Sequence, residues 1–279
     1  MTLAGRNLAI AFPDTVLEEH DSLREKTVKL GQLARAASVF GVDVVQVFRD
    51  PRGGGEAALI GRVLRYLETP QYLRRRLFPL DDSLRYAGLL PPLRIPSHKP
   101  RVPVEALRAG EFREGVVLDE GRLTVDIGLE RPLVLDRRAA GPGRVTVRVT
   151  STSPLRGVQT DRSQTGEYWG YLVEERSADQ VLSDPRFELR VATSRLGDPL
   201  AATTGELARR LGTAKGVEVL FGSPSRGLFE TLGKDLRRRV AFVVNLYPEQ
   251  HVVTVRTEEA VPTALYLLQV LSVSPDTKV

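Results

Sequence analysis

Nearly unbroken apolar runs alternate with amphipathic segments along the first 80 residues of the chain. The runs at 7–12 (NLAIAF) and 42–48 (VDVVQVF) are typical of strands buried on both faces of a parallel sheet. Between them, Ser22 and Glu25 have the spacing of a capping box, which predicts a helix that ends near Gly41. Residues 56–68 predict a second helix, so the chain begins as an α/β domain.

Residues 81–175 break this pattern. Five prolines between 91 and 103 remove backbone donors, and they predict an extended connector rather than a helix or strand. Short alternating segments follow, with a hairpin predicted around residues 119–122 and a last strand in the YWGYLVEE segment at 168–175. Several short strands without helices predict a small β-barrel that is OB-like in size.

Residues 186–279 return to the first pattern. Strands are predicted at 187–194, 216–222 and 239–247. A helix capped by Thr203 and Glu206 follows the first of them, and a final helix is predicted over 258–271. We therefore predict one discontinuous α/β domain formed by residues 1–85 and 176–279, a proline-rich connector at 86–110, and a barrel inserted at 111–175.

Composition excludes several kinds of chemistry. The chain has no cysteine, which excludes disulfides, thiolate nucleophiles and Cys-ligated metal centres. Its three histidines are far apart in sequence, so we expect no metal. No apolar run is long enough to cross a bilayer, and the first residues lack the pattern of a secretory signal. We expect a cytoplasmic protein with no membrane partner.

Arginine dominates the basic residues. Six lysines leave 34 arginines among the 40 basic residues, and the formal net charge is +5. Arginine binds phosphate through a planar, bidentate group, so this composition fits a nucleic-acid partner. The surface composition of a thermophilic protein explains it equally well.

Polar and aromatic residues of the predicted barrel are candidates for contacts with RNA. The candidates for contacting an RNA backbone are Arg144, Arg148, Arg156 and Arg162. Ordinary solvated charge is the alternative for these arginines. Trp169 and Tyr171 either stack on bases or fill the barrel core.

Three loops are candidates for a ligand site. Gly53-x-Gly55 loosely matches a dinucleotide fingerprint, but the acidic partner expected about 20 residues further on is missing, so a flexible glycine loop is the alternative. LFGSPSRGLFE (220–230) runs from a strand directly into a glycine turn, which is either a binding loop or an ordinary βα turn. The long connection at 243–260 leaves the carboxyl end of a strand, where open α/β sheets bind ligands.

Four segments carry a resemblance to a known family: 85–100 (RYAGLLPPLRIPSHKP), 191–198 (VATSRLGD), 220–228 (LFGSPSRGL) and 247–260 (YPEQHVVTVRTEEA). Over nearly its whole length, the chain resembles the SPOUT-class RNA uridine N3-methyltransferases of archaea and eukaryotes. The resemblance implies an α/β SPOUT fold, in which a parallel sheet carries a C-terminal trefoil knot, with an inserted OB-like barrel that helps to grip RNA. It further implies a homodimer that uses S-adenosylmethionine to methylate N3 of a uridine, with ribosomal RNA as the expected partner.

The resemblance also implies site residues. The loops that hold the cofactor correspond to residues 193–197, 220–222 and 245–256. The cofactor-binding residues expected within or beside them are Thr193, Ser194, Leu220, Gly222, Asn245, Leu246, Pro248, Gln250, Thr254 and Val255. Arg195 and Arg256 are the candidate catalytic cations, and Glu258 or Glu249 is the candidate proton acceptor. For Arg256 the alternative is a structural role at a helix end, and for Glu258 it is a favourable charge in the first turn of a helix.

Two other functions fit parts of the sequence. A non-catalytic RNA-binding or ribosome-assembly protein can keep the same fold, and a nicotinamide-dependent enzyme can use the Gly53–Gly55 loop. The absence of cysteine excludes RNA methyltransferases that attack C6 of a pyrimidine with a thiolate. Direct methyl transfer to a nitrogen or oxygen is the chemistry that is left.

Overall fold

A computed structural model of the protein describes residues 7–119 and 121–273. The chain divides into two units. The first comprises Met1–Arg65, Ser83–Pro91 and Tyr171–Val279, and the second comprises Tyr66–Asp82 and Pro92–Gly170. The second unit thus includes a helical segment before the proline-rich connector and ends earlier than the predicted insertion at 111–175.

A parallel sheet forms the centre of the first unit. Its strands are β1 (Asn7–Pro13), β2 (Val44–Phe48), β8 (Leu172–Arg176), β9 (Leu189–Pro199), β10 (Gly216–Leu220) and β11 (Phe242–Asn245). They lie in the order β11-β9-β10-β1-β2-β8, and every neighbouring pair is parallel. Every residue of β2 and of β10 is buried, which explains the mostly apolar runs in the sequence. The predicted parallel sheet is confirmed.

Helices pack on both units. They are α1 (Leu23–Val39), α2 (Ala57–Glu68), α3 (Gln71–Leu77), α4 (Ala178–Leu182), α5 (Leu200–Thr213), α6 (Leu228–Thr231), α7 (Leu236–Arg239) and α8 (Thr257–Ser272). The predicted cap of α1 is present, because the Ser22 hydroxyl accepts from the backbone N–H of Glu25 at 3.2 Å. In the first unit α8 packs against α1 and α5. No helix of the described residues is both long and apolar enough to span a bilayer.

The start of α5 differs from the prediction. The helix begins at Leu200, directly after Pro199, and not at a cap formed by Thr203. The Thr203 hydroxyl instead donates to the carbonyl of Leu200 at 3.0 Å, within the first turn. A proline before the first helical residue fixes φ without losing a helical hydrogen bond, and it is the better start signal here.

A closed five-stranded barrel forms the second unit. Its strands are β3 (Phe112–Val117), β4 (Thr124–Asp126), β5 (Leu133–Leu135), β6 (Arg144–Thr152) and β7 (Leu155–Thr160), in the order β3-β4-β5-β7-β6 with β6 returning to β3. The predicted hairpin is β3–β4, in which Val116 lies opposite Asp126. Val147 and Val149 are fully buried in the barrel core, so alternation directs Arg148 outward.

The YWGYLVEE segment does not complete the barrel, contrary to the prediction. Its second half forms β8, which pairs in parallel with β2 at the edge of the sheet, with Leu172 opposite Val44. Trp169 and Tyr171 precede β8 and are only 4% and 1% exposed. The Trp169 indole donates to the carboxylate of Glu114, and the Tyr171 hydroxyl donates to a backbone carbonyl of α2. Burial of both rings favours a structural role over base stacking.

A carboxyl group is buried within the parallel sheet. Glu218 of β10 is 0% exposed and pairs with Arg190 of β9 at 3.0 Å. Arg190 also donates to the carbonyl of Val181 at 3.2 Å. Burial raises the pKa of Glu218 to about 7, although the neighbouring guanidinium opposes the shift.

The buried Glu218 predicts a pH-dependent stability for the α/β unit. The native carboxyl keeps its proton up to about pH 7, whereas the unfolded one loses it near 4.5, so stability falls as pH rises through this interval. The loss amounts to about 3 kcal/mol, and Glu218→Gln should remove it. Urea unfolding followed by far-ultraviolet circular dichroism at both ends of the interval measures the effect, with the exposed Glu206→Gln as control. Parallel pH profiles for Glu218→Gln and wild type would contradict this account.

Candidate functional site

Three segments at the carboxyl ends of β9, β10 and β11 surround a cavity of about 300 Å³. They are the excursion (residues 193–197), the glycine turn (residues 222–227) and the long loop (residues 246–256). The three strands are neighbours in the sheet, so their carboxyl ends meet at one edge. Open α/β sheets bind ligands at such edges, and the cavity volume lies at the lower end of the range for small-molecule sites.

The excursion interrupts the pairing of β9 with β11. Val243 lies opposite Ala192, but the next residue, Val244, lies opposite Asp198. Residues 193–197 therefore leave the ladder and return to it, like an enlarged β-bulge. The geometry explains why a strand with a largely buried start places polar side chains beside a cavity.

Close contacts hold the excursion against the end of β11. A Cβ added to Gly197 would lie 2.6 Å from the carbonyl carbon of Val244, so glycine is needed for this approach. The side-chain amide of Asn245 donates to the carbonyl O of Arg195 at 3.1 Å. Backbone packing and one amide thus fix the position of Arg195 relative to the sheet.

Glu18 organises the glycine turn. It follows β1 in the chain, and its carboxylate accepts hydrogen bonds from the Ser223 hydroxyl at 2.5 Å and the Ser225 hydroxyl at 2.6 Å. The guanidinium of Arg226 lies 3.3 Å from Glu18 and 3.3 Å from Asp50. Burial raises the pKa of Glu18, but these hydrogen bonds outweigh it and hold the pKa below its ordinary value. An ionised carboxylate therefore shapes the turn.

The long loop is tied to the other two segments and to α8. The side-chain Oδ1 of Asn245 accepts from the backbone N–H of Tyr247 at 2.9 Å, and the Tyr247 hydroxyl donates to the carbonyl of Glu259 at 3.2 Å. The hydroxyl of Thr257, the first residue of α8, donates to the carbonyl of Gly222 at 3.2 Å. The loop is thus fixed at both of its ends.

Most of the predicted cofactor-binding residues line this cavity. Those that line it are Thr193, Ser194, Gly222, Asn245, Leu246, Gln250, Thr254 and Val255. Leu220 lies behind the lining, where its carbonyl accepts from the Thr193 hydroxyl at 3.0 Å. Pro248 is exposed and does not line the cavity. The lining combines hydroxyls, amides and aliphatic side chains, so the cavity can hold an elongated ligand with both polar and apolar parts.

Arg195 is the predicted catalytic residue that lines the cavity. It is exposed, and within residues 7–119 and 121–273 its guanidinium reaches only the carbonyl of Val253, at 3.5 Å. Arg226 also lines the cavity, but Glu18 and Asp50 already hold its guanidinium. Of the two guanidinium groups in the lining, Arg195 is the one available to a ligand.

Arg256 and Glu258 do not line the cavity, contrary to the prediction, although Val255 and Thr257 beside them do. The carboxylate of Glu258 lies 3.0 Å from the ammonium of Lys29, which is 1% exposed. Arg256 is exposed and lies 3.7 Å from Glu19. The two residues therefore belong to an ion-pair cluster beside the N-terminus of α8, and their structural alternatives explain them better than catalysis.

The same ion-pair cluster contains side chains of the kinds that bind metal ions. Ligand atoms of Glu19, His20 and Glu258 lie within 4.8 Å of one another. The ammonium of Lys29 contacts the carboxylates of Glu19 and Glu258, and so supplies the positive charge that a cation would otherwise provide. The expectation that the protein uses no metal therefore stays a prediction.

Sequence reasoning missed Glu18 and Glu230. Glu18 follows the carboxyl end of β1, and β1 lies beside β10 in the sheet. Residues that follow the carboxyl ends of neighbouring parallel strands lie close together, so this position could have identified Glu18 as a site residue. Glu230 of α6 lines the cavity. Its signal was an acid three residues after the glycine turn, at the end of the candidate loop at 220–230. Glu249, the alternative proton acceptor, is exposed and does not line the cavity.

The glycine loop at 53–55 does not line the cavity. The side chain of Asp14 occupies the space that a Cβ on Gly55 would need, and the backbone N–H of Glu56 donates to the carbonyl of Asp14 at 2.9 Å. Gly53 and Gly54 have φ values of 76° and 82°. Local conformation thus accounts for these glycines, and nothing in this loop favours a nicotinamide enzyme.

Two of the four predicted RNA-binding arginines take part in a buried ion-pair network. Arg144 contacts the carboxylates of Glu68 and Glu114, and Arg162 lies 2.8 Å from Glu68. The side chains of Glu68 and Glu114 are only 4% and 1% exposed. Arg144 and Arg162 neutralise buried carboxylates, which favours support of the barrel unit as their role, and their contact with RNA stays a prediction.

Arg148 and Arg156 are exposed on the outer face of the barrel. Arg156 pairs with a neighbouring aspartate but keeps half of its side-chain surface exposed. Val158, which lies opposite Arg148, lines a shallow surface groove together with Arg137 and Arg138. This arginine-rich face is open to a polyanion.

An α/β unit with its cavity at the carboxyl edge of a parallel sheet defines a ligand-binding enzyme scaffold. The family described as "Putative RNA methyltransferase" matches residues 7–268. The chain therefore belongs to this family of RNA methyltransferases, which confirms the resemblance read from the sequence.

Two relatives align over almost all of the chain. A Mus musculus protein named 28S rRNA (uridine-N(3))-methyltransferase is 32% identical, over 94% of this chain and 76% of its own. An uncharacterized protein of Haloarcula marismortui is 35% identical, over 93% of this chain and 98% of its own. Among solved structures, an RNA 2'-O ribose methyltransferase aligns over 95% of this chain and 55% of its own, with 10% identity and a TM-score of 0.39.

Proposed function

We propose that this protein transfers a methyl group from S-adenosylmethionine to N3 of a uridine in ribosomal RNA. Membership of the RNA methyltransferase family supports the reaction class, and the name of the mouse relative supports the acceptor atom and the RNA. The observation that carries the proposal is the convergence of the excursion, the glycine turn and the long loop on one cavity.

The residues of the cavity fit this cofactor. Thr193, Ser194, Asn245 and Gln250 offer hydrogen-bonding groups, and Leu246 offers an apolar surface. When bound, the sulfonium supplies an electrophilic methyl carbon. The work of the chain is to hold the acceptor base in line with that carbon and to stabilise the charge that develops on the base. Arg195 is placed for the second task because its guanidinium is not used by a carboxylate of the described residues.

We also propose the finer features of the SPOUT fold. In this proposal α8 and the long loop form the trefoil knot, two copies associate through this region, and the barrel is OB-like. The packing of α8 against both α1 and α5 supports the first feature. Leu196, Val253 and Tyr266 are 67%, 87% and 59% exposed near the loop and on α8, and a second copy would cover them. A cytoplasmic location completes this proposal.

The exposed arginines of the barrel support the RNA partner. Arg137, Arg138, Arg148 and Arg156 are exposed, and they present positive charge around one groove. Contacts with phosphates increase the affinity for RNA but do not distinguish one base from another. The acceptor nucleotide must therefore be recognised by residues at the cavity.

Replacing Arg195 with alanine should separate cofactor binding from methyl transfer. We expect about a 10²-fold loss of methylation, because one donor to the developing uracil anion is removed. Affinity for S-adenosylmethionine, measured by calorimetry, should change little. Methylation is measured on an unmodified large-subunit ribosomal RNA transcript by mass spectrometry of the digested nucleosides, where 3-methyluridine is the expected product.

Arg209→Ala is the matched control, because Arg209 is 73% exposed on α5 and does not line the cavity. A wild-type protein that binds RNA but neither S-adenosylmethionine nor its demethylated product would support the non-catalytic alternative. A normal rate for Arg195→Ala would remove Arg195 from the mechanism and leave the proposed reaction intact.

A further inference from the structure

We infer that Glu230 accepts the N3 proton of the acceptor uridine and that, with Arg195, it selects a base with a ring N–H beside a carbonyl. The inference rests on the proposed function and names the groups that read the base. Within residues 7–119 and 121–273, Glu230 is the one carboxylate that lines the cavity. A proton acceptor supplied by the described part of this chain must therefore be this group.

The side chain of Glu230 is free to act. It is exposed, and it makes no hydrogen bond or ion pair with another side chain in the part of the chain that the structure describes. Its backbone is fixed, because its N–H donates to the carbonyl of Gly227 at 3.0 Å at the start of α6. Two other acids near the cavity are occupied, because Glu18 holds the glycine turn and Glu258 faces Lys29, and Glu249 of the long loop does not line the cavity.

Arg195 and Glu230 belong to segments that one side chain holds together. Arg237 of α7 donates to the carbonyl of Leu196 at 2.9 Å, and its guanidinium carbon lies 5.9 Å from the ring centre of Phe229. Leu196 and Phe229 are the chain neighbours of Arg195 and Glu230, and all four residues line the cavity. The backbone positions that carry the cation and the carboxylate are therefore linked through Arg237, and both side chains line the same cavity.

This combination of groups matches the Watson–Crick edge of uracil. N3–H lies between two carbonyls, so a carboxylate can accept its hydrogen while a guanidinium donates to an adjacent oxygen. Cytosine has no hydrogen on N3, and its lone pair would meet the carboxylate. In the methyl-transfer step the N3 proton passes to Glu230, and the N3 electron pair forms the new N–C bond. The C–S bond breaks, and its electrons return to sulfur as a neutral thioether.

Glu230→Gln tests this role. We expect the rate constant for 3-methyluridine formation on the large-subunit ribosomal RNA transcript to fall by about 10²-fold or more, because general base catalysis is lost. Affinity for S-adenosylmethionine should stay within about twofold, since Glu230 contacts the base and not the cofactor. Glu230→Asp should recover part of the rate. Glu206→Gln, an exposed carboxylate on α5, is the control and should match wild type.

A competition experiment tests the selection of the base. Once the methylated uridine is located, the same transcript with cytidine at that position serves as competitor. Glutamine can donate to N3 of cytosine, so Glu230→Gln should narrow the preference for the uridine transcript. A wild-type rate for Glu230→Gln, or an unchanged preference, overturns the inference and leaves the proposed function standing. If the wild type forms no 3-methyluridine, the proposed function fails and the inference fails with it.

Discussion

Replacing Arg144 with alanine should cost the barrel unit about 3–5 kcal/mol of unfolding free energy. The substitution removes the guanidinium that contacts Glu68 and Glu114, whose side chains are 4% and 1% exposed. Arg162 still pairs with Glu68, and Thr146 still donates to Glu114. Neither contact replaces the positive charge of Arg144. The two buried carboxylates therefore keep too few opposite charges to offset the cost of their burial.

The loss should depend on pH in a defined direction. Burial already raises the pKa of Glu68 with Arg144 present, and removal of the guanidinium raises this pKa further. The native variant then binds more protons than its unfolded chain, so its stability rises as pH falls. The difference in unfolding free energy between the wild type and Arg144→Ala should therefore become smaller under mildly acidic conditions.

Tryptophan fluorescence measures this prediction. The chain has one tryptophan, Trp169, and its indole donates to Glu114 within the network. Denaturant unfolding followed by this signal reports on the barrel unit. Arg148→Ala is the matched control, because Arg148 lies on the same strand and is exposed; it should change stability by less than about 0.5 kcal/mol. Equal and small effects of the two substitutions would show that the network is not needed.

The same pair of arginines shows where sequence reasoning about the barrel stops. Arg144 and Arg148 are separated by an even number of residues on β6, which correctly predicts one shared face. Their surroundings differ, because Glu68 lies 76 positions away in sequence from the arginine that it contacts. Local periodicity carries no information about such a partner, and so it assigned one role to two different residues.

The assignment of β8 failed for a related reason. A short segment with alternating residues has the same local pattern in a barrel and at the edge of a parallel sheet. Pairing decides between them, and Gln46 of β2 lies 128 positions before Glu174, its partner in β8. By contrast, β1, β2 and β10 could be predicted, since burial on both faces favours mostly apolar runs whatever their neighbours are.

The position of the cavity could be predicted, but not the direction of each side chain. The rule that ligands bind at the carboxyl ends of parallel strands pointed to the long loop, and the family resemblance added residues 193–197 and 220–222. It does not say which of two neighbouring residues faces the ligand. Val255 lines the cavity, whereas the neighbouring Arg256 lies beside Glu19. The path of the chain into α8 decides which of the two side chains faces the cavity, and the sequence does not show this path.

Replacing Gly197 with alanine should abolish most methyl transfer. The new Cβ would lie 2.6 Å from the carbonyl carbon of Val244 and 2.8 Å from the backbone nitrogen of Asn245. Both atoms belong to the backbone of β11 and its end, so they cannot yield as a flexible side chain would. The excursion must move away from β11, and Thr193 and Arg195 move with it. We expect affinity for S-adenosylmethionine to fall at least about tenfold, which corresponds to about 1.4 kcal/mol.

Methyl transfer should fall further than affinity, because displacement of Arg195 adds a second loss to that of cofactor binding. Calorimetry with S-adenosylmethionine and nucleoside mass spectrometry measure the two effects. Gly205→Ala is the matched control: a Cβ there meets no atom within 4 Å, and alanine in a helix stabilises by up to about 1 kcal/mol. Should Gly197→Ala fail to fold, Asn245→Ala removes the bond to the Arg195 carbonyl with no overlap, and it should weaken both readouts in the same direction. Normal activity in both variants would mean that the excursion does not position the reacting groups.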